Sequence, residues 1–101
     1  MVVVVFRSRL RNDANVKELG TLYERMLLLV AEMPGFIAVK DFQAEDGEIV
    51  AIAEFDTLEH VADWRDQVEH KAAQGRGRKE FFSEYRTQVC TVVRDYHFPV
   101  R

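Results

Sequence analysis

The residues with the clearest capacity for chemistry lie in one segment, which begins at Trp64 and reaches Tyr85. His70 follows Trp64 by six residues, and the aromatic side chains of Phe81 and Phe82 come soon after. An indole and an imidazole near a helix end can form a small apolar pocket that holds one titratable group. Because an unperturbed histidine has a pKa of about 6.5, His70 could exchange a proton at neutral pH. We therefore predict that this segment binds, and could oxidise, a small organic molecule.

Trp64 and His70 each have a simpler interpretation that the sequence leaves open. A tryptophan in a small domain commonly anchors the core, because its ring buries a large apolar area. A histidine on the outer surface of a helix is more common than a catalytic one. Glu69 does not change that balance, because adjacent residues of a helix do not face one another.

Two residues of the last predicted strand are also of interest. Arg86 lies where its guanidinium could reach a dry pocket and pair with a phenolate or carboxylate. A salt bridge at an interface is equally consistent with its position. Cys90 lies in the same strand, and we expect it to act as a small buried hydrophobic residue.

Other chemistries find no support in the spacing of the residues. Glu59, His60 and Asp63 fall within one helical turn, but the zinc-binding pattern His-Glu-x-x-His is absent, so we predict no metal site. The basic run between Lys71 and Lys79 is expected to be a solvated helix surface, because its glycines match neither phosphate-loop pattern. The chain also contains no dinucleotide fingerprint and no haem-attachment sequence.

The composition is typical of one folded domain, which we expect to span residues 1–101. Hydrophobic residues make up 48% of the 101 residues, and the net charge is −3. That charge gives no general attraction to nucleic acid or to an anionic membrane. Cys90 is the single cysteine, so no internal disulfide can form, and no stretch approaches the ~20 apolar residues of a membrane span. We expect a cytoplasmic protein that binds neither nucleic acid nor membranes.

Local signals predict three helices and four strands. Turn and cap residues precede the first helix, Pro34-Gly35 ends it, and Asp46-Gly47 is a strong hairpin signal. The second helix is expected to start after Asp56 or Thr57. The predicted elements are a strand over Val2–Arg9, a helix from Val16 to Met33, strands over Phe36–Glu45 and Glu48–Phe55, a helix from Leu58 to Val68, a weaker helix over His70–Phe82 and a final strand over Tyr85–His97.

The order of these elements, β-α-β-β-α(α)-β, predicts an α+β fold of the ferredoxin-like sandwich type with a four-stranded antiparallel sheet. An antiparallel sheet with one wet face should alternate apolar and polar residues. The runs Val2–Phe6, Ile49–Ala53 and Val89–Val93 do not alternate, so both faces are predicted to be dry. Helices can cover one face, and a second copy of the chain can cover the other. The final strand, at thirteen residues, is long enough to extend onto such a partner.

Several motifs together resemble the antibiotic biosynthesis monooxygenase (ABM) family. They are the opening Val-Val-Val-Phe-Arg, Met33-Pro34-Gly35-Phe36, Glu54-Phe55-Asp56, Trp64-x5-His70 and Val92-Val93-Arg94-Asp95-Tyr96. The resemblance covers nearly the whole chain. It implies a homodimeric α+β barrel, in which two ferredoxin-like sheets pack together and each protomer holds a pocket between its sheet and helices.

The resemblance also implies an activity. Members of this family include enzymes that oxidise aromatic compounds with O₂ and use neither flavin nor metal, so we expect no cofactor. Carried over by position, Trp64 corresponds to the helical tryptophan of the pocket and His70 matches a histidine of the family pattern. Arg86 is added from its position on the last strand alone, as a residue that could stabilise the phenolate. The expected function is a cofactor-independent monooxygenase that acts on a small aromatic or quinol compound. The alternative is a non-enzymatic dimeric module that binds a small molecule or has a role in stress.

A branch with a similar fold degrades haem, and this sequence departs from its pattern. That branch uses an asparagine on the first strand and a histidine ten residues beyond the helical tryptophan. Here the first strand carries Arg7, Ser8 and Arg9, and Gln74 stands ten residues beyond Trp64. Haem degradation is therefore not expected.

Overall fold

A four-stranded antiparallel sheet forms one layer of the protein, and helices cover one of its faces. The computed structural model describes residues 1–99. Its elements are β1 (Val2–Leu10), α1 (Val16–Ala31), β2 (Phe36–Gln43), β3 (Ile49–Phe55), α2 (Leu58–Asp66), α3 (Val68–Arg76), a π-helical turn (Gly77–Phe81) and β4 (Phe82–Thr91). The strands lie in the order β2-β3-β1-β4, and neighbouring strands are antiparallel. The predicted α+β, ferredoxin-like fold is confirmed.

Local side-chain chemistry sets the start of α1 and the hairpin between β2 and β3. The side chain of Asn15 accepts a hydrogen bond of 3.1 Å from the backbone N–H of Glu18, as expected of a helix N-cap. In the hairpin, Gly47 has a φ of 92°, which a side chain would disfavour. The carboxylate of Asp46 accepts a 3.1 Å bond from the N–H of Glu48. Both predicted signals are confirmed.

Alternation of side chains divides the sheet into two faces. On β1, Val4 and Phe6 point toward the helices and line a cavity. All three helices lie on that side, because each of them supplies residues to the same cavity. Val3 and Val5 must point the opposite way, because successive side chains of a strand alternate. We call this opposite side of the sheet the open face.

The last strand is shorter than the sequence predicted. We expected Tyr85–His97, but β4 covers Phe82–Thr91 and pairs only with β1. The N–H of Val92 still donates to the carbonyl of Met1, at 3.0 Å, and this is the last rung of the ladder. A strand continues only where its backbone groups find partners, and β1 offers none past Met1. Side chains beyond the strand are strongly exposed, among them Val93 at 89%, Tyr96 at 86% and Phe98 at 92%.

The second and third helices meet at Gln67, which the sequence analysis did not identify as a boundary. Gln67 is extended, and its side-chain oxygen accepts a 2.8 Å bond from the N–H of His70. It therefore ends α2 and caps α3, so Val68 belongs to α3 and not to the second helix. The predicted helix over His70–Phe82 was wrong in its second half, which forms the π-helical turn and the start of β4. No helix within residues 1–99 is long and apolar enough to cross a lipid bilayer.

Cys90 is exposed, whereas we expected it to be buried. It pairs in register with Val3, and cross-strand partners share a face of the sheet, so Cys90 lies on the open face. The prediction was wrong for the single chain because all three helices lie on the other side.

Candidate ligand cavity

A cavity of about 330 Å³ lies between the sheet and the helices. Its wall is mostly apolar and draws on strands and helices alike, for example Val4, Ala53, Leu22, Met26, Val30 and Val61. Ligand pockets commonly have volumes of roughly 300–1,000 Å³, so this one suits a small molecule.

The aromatic residues of the predicted segment come together along one wall of this cavity. The ring of Phe6 lies 5.6 Å from that of Phe82 and 5.5 Å from that of Tyr85, measured between centroids. Phe81 is almost completely buried beside them, at 1% exposure. Gly77 permits this packing, because a Cβ atom there would lie only 2.8 Å from the ring of Phe82. Gly77 thus has a packing role.

Trp64 and His70 are brought together as their spacing suggested. Their rings stack with centroids 3.9 Å apart and planes inclined by 11°, and both residues line the cavity. The interruption of the helix at the extended residue Gln67 makes this possible, because it lets α3 fold back over the end of α2. The His70 Nδ1 atom lies 2.8 Å from the backbone carbonyl oxygen of Trp64.

This contact determines which nitrogen of His70 carries the proton. A carbonyl oxygen only accepts hydrogen bonds, so Nδ1 must be the N–H donor. In the neutral ring, Nε2 is then unprotonated and remains a hydrogen-bond acceptor. Burial lowers the pKa of His70, and the bond to the Trp64 carbonyl only partly opposes this. His70 is therefore a neutral base at pH 7.

Gln74 supports the same arrangement. Its amide Nε2 donates to the backbone carbonyl of Arg65 at 3.1 Å and lies 3.3 Å from His70 Nδ1. Because Nδ1 already donates to Trp64, the bond that Gln74 makes is the one to Arg65. That bond ties α3 to the last turn of α2.

Tyr23 adds a second polar group, which the sequence analysis did not identify. It lines the cavity, and its hydroxyl lies 2.7 and 2.6 Å from the two carboxylate oxygens of Asp41 on β2. Burial, followed by the hydrogen bond to Asp41 and the charge of that carboxylate, raises the pKa of Tyr23. The signal available in the sequence was the hydroxyl of Tyr23 among the apolar residues that recur every three or four positions along the first helix, such as Leu19 and Met26.

Arg86 is not brought together with Trp64 and His70. On β4 the neighbouring residues Tyr85 and Thr87 line the cavity, whereas Arg86 pairs in register with Arg7 on the open face. Arg86 therefore faces away from the cavity of its own chain.

Partly exposed ion pairs join the helices to one another. Arg25 on α1 forms a paired contact with Glu69 on α3, with the shorter distance at 2.8 Å. Arg76 contacts both Glu18 and Glu80. Arg76 is thus engaged in ion pairs, and only part of the predicted basic run is freely solvated.

His60, which the sequence places within one helical turn of Glu59 and Asp63, pairs with Asp56. His60 Nδ1 lies 2.6 Å from Asp56 Oδ1 at the start of α2, and Asp56 is the first cause of the raised pKa of His60. Residues 1–99 hold no group of three His, Cys, Asp or Glu side chains placed to share a metal ion.

The fold and the cavity define a ferredoxin-like α+β domain with a cavity between its sheet and its helices. Residues 1–76 match the family model described as antibiotic biosynthesis monooxygenase. The chain is also 32% identical over 96 residues to the protein YqjZ of Bacillus subtilis (strain 168), covering 94% of this chain and 82% of that protein. This chain therefore belongs to the antibiotic biosynthesis monooxygenase family, as the sequence motifs indicated.

Solved structures show the same fold at low identity. Rv0793 from Mycobacterium tuberculosis superposes with a TM-score of 0.81 at 16% identity, over 95% of this chain and 98% of that one. SnoaB from Streptomyces nogalater, a cofactor-independent oxygenase, gives a TM-score of 0.77 at 17% identity, over 98% and 97% of the two chains. At these identities the similarity concerns the fold.

Proposed function

We propose that this protein is a cofactor-independent monooxygenase that oxidises a small aromatic or quinol compound with O₂. The observation that carries the proposal is the bond from His70 Nδ1 to the Trp64 carbonyl, which leaves Nε2 as an acceptor on a residue that lines a mostly apolar cavity. The family membership and the fold shared with SnoaB support the reaction class.

The chemistry begins with a proton transfer from the substrate hydroxyl to His70 Nε2. The imidazolium that forms keeps its bond from Nδ1 to the Trp64 carbonyl, which stabilises the positive charge. The phenolate left behind is electron-rich and reacts with O₂ as the reductant. One oxygen atom becomes a carbonyl of the quinone product and the other leaves as water. For 1-naphthol, for example, C₁₀H₈O and O₂ give C₁₀H₆O₂ and H₂O, so no external reductant is needed.

Trp64 contributes by shape and by its carbonyl. Its indole covers one face of the imidazole and holds the ring in a fixed orientation, while apolar side chains limit the access of water to the reacting atoms. Trp64 and His70 are the residues that we assign to the reaction. Arg86 faces away from the cavity of its own chain, and the mechanism in this chain proceeds without it.

We further propose a homodimer in which two open faces pack together to form the α+β barrel. The open face carries several apolar residues, namely Val3, Val5, Phe42, Val50, Ile52 and Cys90. Burying such a surface in a second copy is favourable, whereas leaving it in water is not. We also propose that the protein works in the cytoplasm, where its single cysteine would stay reduced. Fractionation of the native host checks that location.

Oxygen consumption tests the activity. Purified protein is supplied with a panel of phenols and hydroquinones in the presence of a chelator and without added flavin or nicotinamide. We expect at least one compound to consume O₂, and His70→Ala to lower the rate by roughly 10²–10⁴-fold, the usual contribution of a general base. His97→Ala is the matched control, because His97 is an exposed histidine outside the cavity.

Two outcomes would contradict the assignment. If His70→Ala is as active as the native protein, His70 is not the base. If compounds bind but none is turned over, the alternative of a small-molecule-binding module replaces the enzyme.

A further inference from the structure

The hydroxyl of Tyr23 has a hydrogen-bonding state that the structure makes unambiguous. An ionised carboxylate only accepts hydrogen bonds, and both oxygens of Asp41 lie within 2.7 Å of the Tyr23 oxygen. The single phenolic proton of Tyr23 is therefore directed at Asp41. The oxygen keeps its lone pairs, so toward a ligand Tyr23 can only accept.

Tyr85, which also lines the cavity, is in the opposite state. Its hydroxyl oxygen accepts from Arg78 Nη1 at 3.3 Å, which leaves its own proton free to donate. Two tyrosines in one cavity thus differ in what they offer a ligand. The difference comes from their partners, because Tyr23 faces a carboxylate acceptor and Tyr85 faces a guanidinium donor.

Tyr23 and His70 lie on two helices, α1 and α3, that an ion pair joins. Arg25, two residues after Tyr23 on α1, binds Glu69, the residue before His70 on α3. This ion pair links the turn that carries Tyr23 to the turn that carries His70, and both residues line the same cavity. A small ligand in the cavity therefore meets two acceptors, the Tyr23 oxygen and His70 Nε2.

We propose that Tyr23, held by Asp41, is a specificity-determining residue that accepts a hydrogen bond from a second hydroxyl of the ligand. The cavity then prefers an aromatic diol over the same ring with one hydroxyl blocked. One hydroxyl donates to His70 and the other to Tyr23. This inference rests on the proposed function only in using the same cavity and His70 as the first acceptor.

Binding measured without oxygen tests the preference separately from turnover. Isothermal titration calorimetry under nitrogen compares 1,5-dihydroxynaphthalene with 5-methoxy-1-naphthol, whose second oxygen cannot donate. We expect the native protein to bind the diol about three- to tenfold more tightly, the usual effect of one neutral hydrogen bond. Tyr23→Phe should bring this ratio close to one. Tyr96→Phe, at a tyrosine that is 86% exposed, is the matched control and should keep the native ratio.

A second variant tests the role of Asp41. Asp41→Leu removes the acceptor that engages the Tyr23 proton, so the hydroxyl becomes free to donate to an ether oxygen. We expect this variant to bind 5-methoxy-1-naphthol at least as well as the diol. Circular dichroism confirms that each variant is folded, and Asp41→Leu keeps the test available if Tyr23→Phe does not fold.

The outcomes separate the two proposals. A Tyr23→Phe protein that keeps the native ratio overturns the role of Tyr23, while the proposed activity stands if His70→Ala still lowers the rate of O₂ consumption as expected. If the native protein binds neither naphthol, both the role of Tyr23 and the proposed ligand class fail.

Discussion

The imidazole of His70 lies flat on the indole of Trp64, with ring centroids 3.9 Å apart, and donates from Nδ1 to the backbone carbonyl of the same tryptophan. One residue therefore fixes both the plane of the histidine and its tautomer. The unprotonated Nε2 follows from that single partner, and the general base of the proposed reaction depends on it. Because Trp64 is the only tryptophan, its fluorescence reports directly on this pair.

The fluorescence of Trp64 should titrate with the protonation of His70. A protonated imidazole in contact with an indole quenches its emission, so lowering the pH should reduce the signal. Since burial lowers the pKa of His70, we expect a midpoint below the usual value of about 6.5. His70→Gln should abolish the transition, whereas His60→Gln should keep it. A midpoint at or above 6.5 would contradict the buried, neutral imidazole.

Truncation of Trp64 should affect stability as well as turnover. Trp64→Ala removes a ring that lines the cavity and packs on His70. Loss of a buried tryptophan commonly costs about 3–5 kcal/mol, and the partial exposure of Trp64 places this substitution toward the lower end. Trp64→Phe keeps a flat ring and should recover most of the free energy of unfolding. Urea denaturation followed by circular dichroism measures both. Equal stability of Trp64→Ala and the native protein would show that the indole contributes no packing.

The His60–Asp56 pair should make stability depend on pH in a defined window. The pKa of His60 is raised, first by its hydrogen bond to Asp56, so its contribution is complete below about pH 6.5 and is lost as the pH rises through the folded-state pKa. The pKa of Asp56 is lowered by the same bond, so its contribution is present above about pH 3.9 and is lost in stronger acid. The pair therefore stabilises the fold most between those two values.

Thermal unfolding of His60→Asn against the native protein checks this window. We expect the difference in Tm to be largest between about pH 4 and pH 6.5 and to shrink in alkaline buffer. His97→Asn, at an exposed residue, should show no such pattern. A difference in Tm that stays constant from pH 5 to pH 9 would mean that the charge on His60 is irrelevant to stability.

Gly35 lies against the same pair and should not tolerate a side chain. Its φ of 83° falls in the left-handed region, and a Cβ atom there would overlap Asp56 Oδ1 and the His60 ring. We expect Gly35→Ala to cost more than about 2 kcal/mol of the free energy of unfolding, from backbone strain and from displacement of the pair. Gly20→Ala is the matched control, because Gly20 lies within α1 with open space around it. Gly35→Ala with the stability of Gly20→Ala would refute the close contact.

Features that depend on neighbouring residues in the sequence were predicted well, and features that depend on distant partners were not. The Asn15 cap and the Asp46-Gly47 turn are local, and both are present. The end of β4 depends on where β1 begins, so the β-branched residues after Thr91 gave a wrong extension of the strand. The Tyr23–Asp41 contact joins residues from a helix and an edge strand, and no periodic pattern reveals such a pair.

The face on which Arg86 lies illustrates the same limit. Parity along β4 shows that Arg86 and Cys90 share a face, but only the pairing with β1 decides which face that is. In the structure both point away from the helices. A shift of the pairing by one residue would have placed them in the cavity.

The open face should be the site of dimerisation, and a charge at its centre should prevent it. Ile52 pairs with Val5 in the middle of this face. The charged pair Arg7–Glu48 lies toward one end of the strands. Ile52→Glu would bury an unpaired carboxylate between two sheets, which is strongly unfavourable, while in the single chain the same side chain reaches water. We expect the native protein to sediment as a dimer at micromolar concentration and Ile52→Glu to sediment as a monomer of about 11.8 kDa.

Val68→Glu is the matched control for this substitution. Val68 is 81% exposed at the start of α3, on the helix side of the sheet, so its change should leave the dimer intact. If Val68→Glu breaks the dimer and Ile52→Glu does not, the helices and not the open face form the interface. If the native protein sediments only as the monomer at micromolar concentration, the proposed barrel does not form.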